Sequence, residues 1–410
     1  MIVLINAYAC SPSWGSEPGM AWNWIKHLSK YCICHVITEG EWKEDIELAM
    51  ADLPHGRNIH FYYNPVPDKV RKMCWNQGDW RFYYFYRKWQ KRTLKIAQMI
   101  CREHSVDIIH QLNMVGFREP GMLWKIKGPK YVWGPIGGMD NLPLSYLDTA
   151  TLRQKLFFRI KNEINKIQYT YQANVNSAIK RSDVLIAAVK GVKDVLINRY
   201  HRVPILISET GTNIEADLPT RKLSSNKQRM DLLWIGRFIY TKRLDIALQT
   251  IAKIKDLDVC LHVCGTGNDE EVEMYKQLAD DLDITDKCKW YGKVPHKNVA
   301  GIMAASDLLF FTSIMEATST VVLEAISWCL PVLCFDTCGF GPLINDSIGC
   351  KITLSDPTQS AVDFASKIRT LYNNRQLIDE MSRNEYTFRS QLSWDAKAKQ
   401  IVQIYESILS

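Results

Sequence analysis

Runs of Val, Ile and Leu about one strand long alternate with stretches of helical periodicity along almost the whole chain. No other feature constrains the fold as much. IVLINAYA opens the series, followed by a glycine-bearing loop, a helix around GMAWNWIKHLSKY and the strand CICHVITEG. RTLKIAQMICREH (helix), VDIIHQL (strand), the strand-turn YVWGPIGG, a basic helical stretch at 152–181 and the strand SDVLIAAV complete the first half. The second half is more regular. Its strands MDLLWIGR, VCLHVCGTG, CKWYGKV, DLLFFTS and LPVLCFD are separated by the helical segments TKRLDIALQTIAKI, DEEVEMYKQLADDL, NVAGIMAAS and STVVLEAISWC. Strands that are apolar throughout belong to parallel sheets covered by helices on both faces. The alternation restarts near Arg202–Thr212, and 410 residues exceed what one core usually spans. An α/β chain of two Rossmann-like, doubly wound domains facing across a cleft is therefore expected, without a 20–50-residue repeat. The expected domains are residues 1–205 and 206–385, with the last helix (about 386–410) crossing back to the first. Ligands of such sheets bind beyond the carboxyl ends of the strands, against helix N-termini.

Composition excludes other classes. With 47% apolar and 23% charged residues the chain is neither disordered nor fibrous. Its apolar runs fall short of the roughly 18 residues of a membrane span. Met1–Ala9 lacks the basic start and long apolar stretch of a leader, and is read as a first buried strand. The twelve cysteines include no CxxC pair and no Cys/His cluster with zinc-like spacing. Cys32 and Cys34, like Cys260 and Cys264, are placed as packing thiols within strands. That usage suits a soluble chain in a reducing cytoplasm. The net charge of +7 is uneven: residues 1–200 hold 28 Lys and Arg against 17 Asp and Glu, a net of +11, and the remainder nets −4.

Three elements of the second half follow three different strands. In Trp234-Ile235-Gly236-Arg237, with Lys242 and Arg243 just beyond, the glycine permits a turn at the strand end. Arginine and lysine offer a fork and a point charge to a phosphate pair. The alternative is a solvated helix start, although cations there oppose the helix dipole and so point to an anion nearby. Cys264-Gly265-Thr266-Gly267 suggests a dinucleotide fingerprint, but Glu270 stands at the third glycine position beside Asp269 and Glu271. An acidic helix start repels a pyrophosphate, so a strand-end turn is the better account. Ser313-Ile-Met-Glu316-Ala-Thr-Ser319-Thr320-Val-Val-Leu-Glu324 carries two carboxylates eight residues apart around a turn of small residues. Glu316 is placed in the loop before a helix and Glu324 just over one turn inside it. Carboxylates accept from vicinal hydroxyls, so a sugar and a ribose are natural partners. The alternative is one helix-start and one amphipathic-helix glutamate.

Gly-Arg-x4-Lys at 236–242, Gly-x-Gly at 265–267, Gly-x-Val at 292–294 and Glu-x7-Glu at 316–324 occur in that order. Together they resemble the retaining glycosyltransferases of family 4 (group 1), which have the GT-B fold. Gly15-Ser16-Glu17-Pro18-Gly19 resembles the family's N-terminal glycine-rich loop. HQLNMVGFREPG (110–121) and WGPIGG (133–138) resemble members that build bacterial surface polysaccharides. The resemblance implies a metal-independent hexosyltransferase using a nucleotide-diphosphate sugar and no cofactor. It places Arg237 and Lys242 on the donor diphosphate, Glu324 on the ribose, Glu316 on the donor sugar and the backbone near Val294 on the base. Ser319 and Thr320 lie where the turn approaches the donor, and Gly15 and Ser16 would close over the phosphates. His110, ending the strand VDIIH, is the candidate acceptor-side catalytic residue; some relatives place that residue two positions later, where Leu112 stands. Arg118 and Glu119 are the alternatives for acceptor contact. The interior Ala-Thr-Ser-Thr at 317–320 replaces the glycines of many members, and Glu209-Thr-Gly211-Thr-Asn213 stands for a usual Asn-Gly. Capsule, exopolysaccharide or lipopolysaccharide synthesis is the implied setting. A non-catalytic nucleotide-sugar-binding or scaffold subunit, or another GT-B enzyme such as a sugar-nucleotide epimerase, remains open.

Residues 69–95 hold nine Lys and Arg, one Asp and eight aromatics, and RQKLFFRIKNEINK (153–166) is a second basic stretch. Rings beside cations suit an anionic membrane surface, and a lipid-linked acceptor would fit a peripheral location on the inner membrane face. The alternative is rings packed into the first domain with the cations outside. No RNP, OB or helix-turn-helix pattern accompanies them, so no nucleic-acid partner is expected.

Overall fold

In β1 (Ile2–Ala7) the side chains of Val3, Ile5 and Ala7 enter one buried cluster and that of Leu4 the opposite one. The same division recurs in β8 (Met230–Ile235), where Leu232 and Trp234 face one core and Leu233 the other. A strand covered on both faces needs apolar residues at every position, which is the physical content of the unbroken runs. The computed structural model describes residues 1–76, 79–213 and 223–410.

Among the described residues there are two parallel sheets. The first joins β1, β2 (Ile33–Thr38), β3 (Ile59–Tyr63), β4 (Ile108–Asn113), β5 (Lys130–Ile136), β6 (Val184–Ala187) and β7 (Ile205–Leu206) in the order β3-β2-β1-β4-β5-β6-β7. The second joins β8, β9 (Val259–Cys264), β10 (Cys288–Gly292), β11 (Leu308–Phe311), β12 (Val332–Phe335) and β13 (Gly349–Ile352) as β10-β9-β8-β11-β12-β13. Both are doubly wound. The strand order reverses between β1 and β4 and again between β8 and β11, and each reversal opens a crevice beyond the carboxyl ends of the strands.

The chain divides into a first unit of residues 1–140, 164–211 and 394–410 and a second of 141–163 and 212–393. Three boundaries differ from the expected 1–205 and 206–385. The division falls at 211/212. Residues 141–163 join the second unit because Leu142, Tyr146, Leu147 and Phe158 pack into its core. Tyr146 also shares a 2.7 Å hydrogen bond with Ser360. The returning segment begins at 394 rather than 386, since Arg389 donates to the Ser327 carbonyl at 3.1 Å inside the second unit. Helix Trp394–Leu409 belongs to the first unit, with Trp394 edge-on to Trp24 at 5.7 Å and Lys30 paired to Asp395 at 2.6 Å. All twelve cysteines are free thiols. No helix of the described residues is long and apolar enough to cross a membrane.

Candidate functional site

Three adjacent strands of the second sheet end on glycines that lock together. Gly236, just past β8, donates to the Cys264 carbonyl at 3.1 Å, and Gly265, just past β9, donates to the carbonyl of Gly292, the last residue of β10, at 2.9 Å. Gly265 has φ +150°, and a Cβ there would stand 1.8 Å from the Gly236 oxygen. Only glycine lets these backbones approach so closely. Gly267 opens an acidic helix, Asp269–Asp281, closed by a capping box between Asn268 and Glu271. This GxG is a strand-end turn, as its acidic flank indicated.

At the reversal between β8 and β11, the loop after β11 is pinned to the short turn Tyr240–Lys242. Ile314 donates to the Thr241 carbonyl at 3.0 Å, and the buried Thr312 hydroxyl donates to the Lys242 carbonyl at 2.8 Å while accepting from the Trp234 indole at 2.9 Å. These bonds bring Lys242 and Glu316 together as an ion pair. Ser313 donates to the same carboxylate oxygen of Glu316 at 2.8 Å, and the Glu316 amide donates to Cys338 Sγ at 3.1 Å. The Lys242 ammonium also lies 4.9 Å from the centroid of the Phe311 ring. Cation and carboxylate are thus held by separate loops that follow three strands, β8, β11 and β12, half-buried and reachable by solvent.

The other donor-side candidates lie around this pair. Arg237 is exposed, and its guanidinium has no hydrogen-bond or ion-pair partner among the described residues. Ser319 is the N-cap of helix Thr320–Ser327, so Thr320 begins the helix, and Glu324 is half-buried in its second turn. The first N–H groups of such a helix lack intrahelical acceptors. Val294 is half-buried in the loop after β10 and packs on the core. The residues that spacing did not single out here are Thr312, Phe311 and Cys338. A strand-end aromatic ahead of a Thr-Ser pair was the legible signal for the first two.

Arg243 is a correction. Read beside Lys242 as a possible anion-facing cation, it is instead fully buried with φ +52°. Its guanidinium pairs with Asp245 at 2.7 and 2.9 Å and donates to the Tyr146 carbonyl at 3.1 Å. The anions facing these two helix-start cations are the chain's own carboxylates, Glu316 and Asp245. A second group, Asp231, Cys260 and His262, has ligand atoms close enough for a metal among the described residues. Its groups bond one another and their neighbours. Both His262 ring nitrogens are engaged, by Asp231 at 2.9 Å and Tyr291 at 2.8 Å. Burial pushes its pKa down, but bonds to Asp231, Cys260 and Tyr291 outweigh this and raise it to about 10.

In the first unit, Gly15 is the N-cap of helix Ser16–Leu28, and a Cβ on it would meet nothing within 4 Å. Ser16 has φ +56°. Neighbouring Glu17 accepts from the Val115 amide at 2.7 Å and so ties the loop after β1 to the loop after β4. Arg118 and Glu119 line an open cavity of about 340 Å³ with Tyr83, Arg87 and Gln168. Arg118 donates to the side-chain oxygens of Gln168 and Asn165, each at 2.6 Å, and Arg87 grips Glu119 at 2.6 and 2.9 Å.

His110 is the second correction. The ring is buried, with Nδ1 2.5 Å from the Tyr405 hydroxyl and Nε2 2.7 Å from the Gly134 carbonyl. Both ring nitrogens are engaged within the first unit, so His110 fastens the last helix to the sheet rather than facing an open cleft. Burial lowers its pKa to about 4 from 6.5. The unfolded chain therefore binds the proton first. His110 contributes stability fully above pH 6.5, and loses it as pH falls toward 4, by roughly 3 kcal/mol in total. Urea midpoints between pH 4 and 7 are expected to fall less steeply for His110→Gln than for the wild type.

The basic aromatic stretch divides; its residues 77–78 lie outside the described residues. Phe82, Tyr86 and Trp89 on helix Arg81–Glu103 are buried in the first unit's core, whereas Trp80 and Tyr84 are exposed. Helix Leu152–Tyr171 has an exposed apolar stripe. Leu152, Leu156, Ile160, Ile164, Ile167 and Tyr171 face solvent at helical spacing, while Phe158, Asn162 and Asn165 are buried on the other side.

Residues 218–388 match the family described as glycosyl transferases group 1. The lipopolysaccharide glucosyltransferase WaaG of Escherichia coli K12 is 27% identical over 140 residues, 33% of this chain and 36% of that one. A D-inositol 3-phosphate glycosyltransferase of Corynebacterium jeikeium is 22% identical over 250 residues, 56% of this chain and 58% of its own. The chain thus spans from about a third to under three fifths of these curated relatives. Solved structures match over nearly the whole length. A glycosyltransferase from Rickettsia africae superposes with TM-score 0.62 at 18% identity, covering 100% of this chain and 98% of that one. Anabaena Alr3699/HepE in complex with UDP superposes at 0.61 and 16%, covering 99% of each.

Proposed function

We propose that this chain, in which residues 218–388 form a group 1 glycosyltransferase domain and two Rossmann-like parallel sheets make up a GT-B fold, transfers a sugar from a nucleotide-diphosphate sugar with retention of configuration. The acceptor is a hydroxyl of a saccharide or lipid-linked saccharide, in the synthesis of a surface polysaccharide. The observation that carries the reading is the Lys242–Glu316 pair at the reversal between β8 and β11, with the uncommitted Arg237 beside β8. Lys242 and Arg237 neutralise the donor diphosphate, and the amides opening helix Thr320–Ser327 add partial positive charge. Glu316, oriented by Ser313, accepts from hydroxyls of the donor sugar, and Glu324 accepts from the ribose. The bond from the anomeric carbon to the diphosphate oxygen breaks as the acceptor oxygen bonds that carbon from the same face. The leaving diphosphate takes the acceptor's proton, so no enzyme base is needed. Fixed cations supply the charge neutralisation, and the reaction is proposed to require no metal or cofactor.

A thermal-shift panel of UDP, GDP, ADP, CMP and dTDP with their common sugars tests this, starting with uridine nucleotides because structural neighbours were solved with UDP. One nucleotide diphosphate is expected to stabilise the protein. No shift at millimolar ligand overturns the enzyme reading and leaves a scaffold.

The apolar stripe of helix Leu152–Tyr171, beside Arg153, Lys155, Arg159, Lys161 and Lys166, supports peripheral docking on an anionic bilayer. Flotation with vesicles containing phosphatidylglycerol is expected to carry the wild type upward and to leave Leu156→Asp/Ile160→Asp behind. Equal flotation of both sinks the docking.

A further inference from the structure

Three tryptophans from three different parts of the first sequence segment meet at one place. Trp14 lies in the loop after β1, Trp42 is the N-cap of helix Lys43–Ala51 after β2, and Trp75 ends helix Asp68–Trp75 after β3. Their ring centroids are 5.8 Å (Trp14–Trp42), 5.6 Å (Trp14–Trp75) and 5.5 Å (Trp42–Trp75) apart. β3, β2 and β1 are neighbours in one parallel sheet, so the cluster is built on the loops and helices that follow them, on the side where such sheets bind ligands.

The cluster is held in place rather than collapsed. Trp42 packs on the core, the Trp75 indole donates to the Glu41 carboxylate at 3.0 Å, and Ser11 Oγ accepts from the Trp14 amide at 3.3 Å. Ser13 in the same loop donates to Asp45 at 2.6 Å. A Cβ on Gly19 would lie 2.1 Å from the Trp14 carbonyl oxygen, so a glycine is what lets this loop fold against its helix. Yet Trp14 remains 56% exposed and Trp75 42% exposed. Isolated exposed tryptophans need no explanation, but a preorganised trio does.

Geometry selects the occupant. An aromatic cage for an ammonium needs its rings held apart around the cation, whereas these rings touch each other at ordinary aromatic contact distance. They form one contiguous aromatic surface, in which the exposed Trp14 and Trp75 rings are inclined at 34° and Trp42 stands edge-on to Trp75 at 75°. The flanking groups Glu41 and Asp45 are acceptors of hydrogen bonds, and they disfavour an anionic ligand. A neutral pyranose offers both complements: C–H bonds of one ring face against the negative π face, and hydroxyls at its edge for the carboxylates.

We propose that Trp14, Trp42 and Trp75 form a stacking platform for a pyranose ring of the acceptor saccharide. The assignment rests on the glycosyltransferase reading for the word acceptor, and on the platform geometry alone for the saccharide.

Saturation-transfer NMR on the full chain tests it, with methyl β-D-glucopyranoside, methyl α-D-mannopyranoside, lactose and maltose as probes. Circular dichroism first verifies that Trp75→Ala, Trp75→Phe and Trp14→Ala are folded. At least one probe is expected to show saturation concentrated on the C–H protons of one ring face. That signal is expected to fall about fivefold in Trp75→Ala and Trp14→Ala and to persist in Trp75→Phe. The nucleotide-diphosphate thermal shift is expected to stay unchanged in Trp75→Ala. A nucleotide shift without any saccharide signal, or a saccharide signal indifferent to these tryptophans, overturns the platform and leaves the enzyme reading intact. Competition by choline chloride or by UMP at the platform also overturns it, in favour of a cation or a base. A Trp-dependent saccharide signal without a nucleotide shift upholds the platform and removes the enzyme reading.

Discussion

Replacing Lys242 with methionine is expected to remove nucleotide-diphosphate binding while leaving the fold in place. Methionine keeps most of the aliphatic stem and deletes the ammonium that pairs with Glu316 and lies over the Phe311 ring. The pair is only partly exposed, and Glu316 keeps Ser313 as a partner, so the loss costs about 1–3 kcal/mol of stability. For a charge that develops on a leaving diphosphate the ammonium is worth far more, on the order of 10²- to 10³-fold in turnover. The thermal-shift readout follows from mass action. A ligand at a hundredfold excess over its Kd stabilises by roughly 2.7 kcal/mol, or about 5–10 °C for a unit of this size. A hundredfold weaker Kd reduces that to about 1 °C. Glu316→Gln separates the two partners of the pair. It is expected to preserve the shift with nucleoside diphosphate alone and to lower turnover with the sugar nucleotide, because the carboxylate is assigned to the sugar. Retained binding in Lys242→Met would falsify the donor-site assignment.

Gly265→Ala is expected to have the largest effect on stability. The residue has φ +150°, a region closed to alanine, and the added methyl would sit 1.8 Å from the Gly236 carbonyl oxygen, which is backbone and has no side-chain freedom to yield. Either β8 and β9 separate at their ends or the loop carrying Arg237 shifts. Strain and lost hydrogen bonding at such a position are worth several kcal/mol. A fall in Tm of roughly 10 °C is expected for the second unit. Nucleotide binding is expected to fail even in the protein that remains folded. Gly15→Ala is the contrast, because a Cβ there meets nothing within 4 Å and its φ of −82° suits alanine. A Gly265→Ala protein with wild-type melting and binding would show that the strand ends do not position the site.

Much of this organisation was legible because it is written in local sequence. The alternation of strands and helices, the restart near residue 212 and the acidic helix after Gly267 each follow from composition within a dozen residues. The spacing of Glu316 and Glu324 likewise placed one in a loop and the other in the second turn of a helix. The sheet orders then put the Gly-Arg and Glu-x7-Glu loops on neighbouring strands, which no window of sequence states.

Other outcomes depended on partners distant in the chain. Lys242 and Arg243 are adjacent cations, and nothing local says which one is turned into the core. The left-handed backbone at Arg243, Asp245 beside it and the Tyr146 carbonyl 97 residues earlier turn its guanidinium inward. His110 sits at a strand end, where chemistry is common, but Tyr405, 295 residues away, and Gly134 occupy both nitrogens. Trp14, Trp42 and Trp75 are unremarkable singly and come into contact only because β1, β2 and β3 lie side by side. Sequence by itself determined the periodic elements, the doubly wound class and which residue types stand at strand ends. Tertiary structure alone decided which of those side chains are buried and paired by distant parts of the chain and which stay at the surface. Periodicity is a property of short segments, whereas desolvation and ion pairing are set by whatever the fold packs against each group.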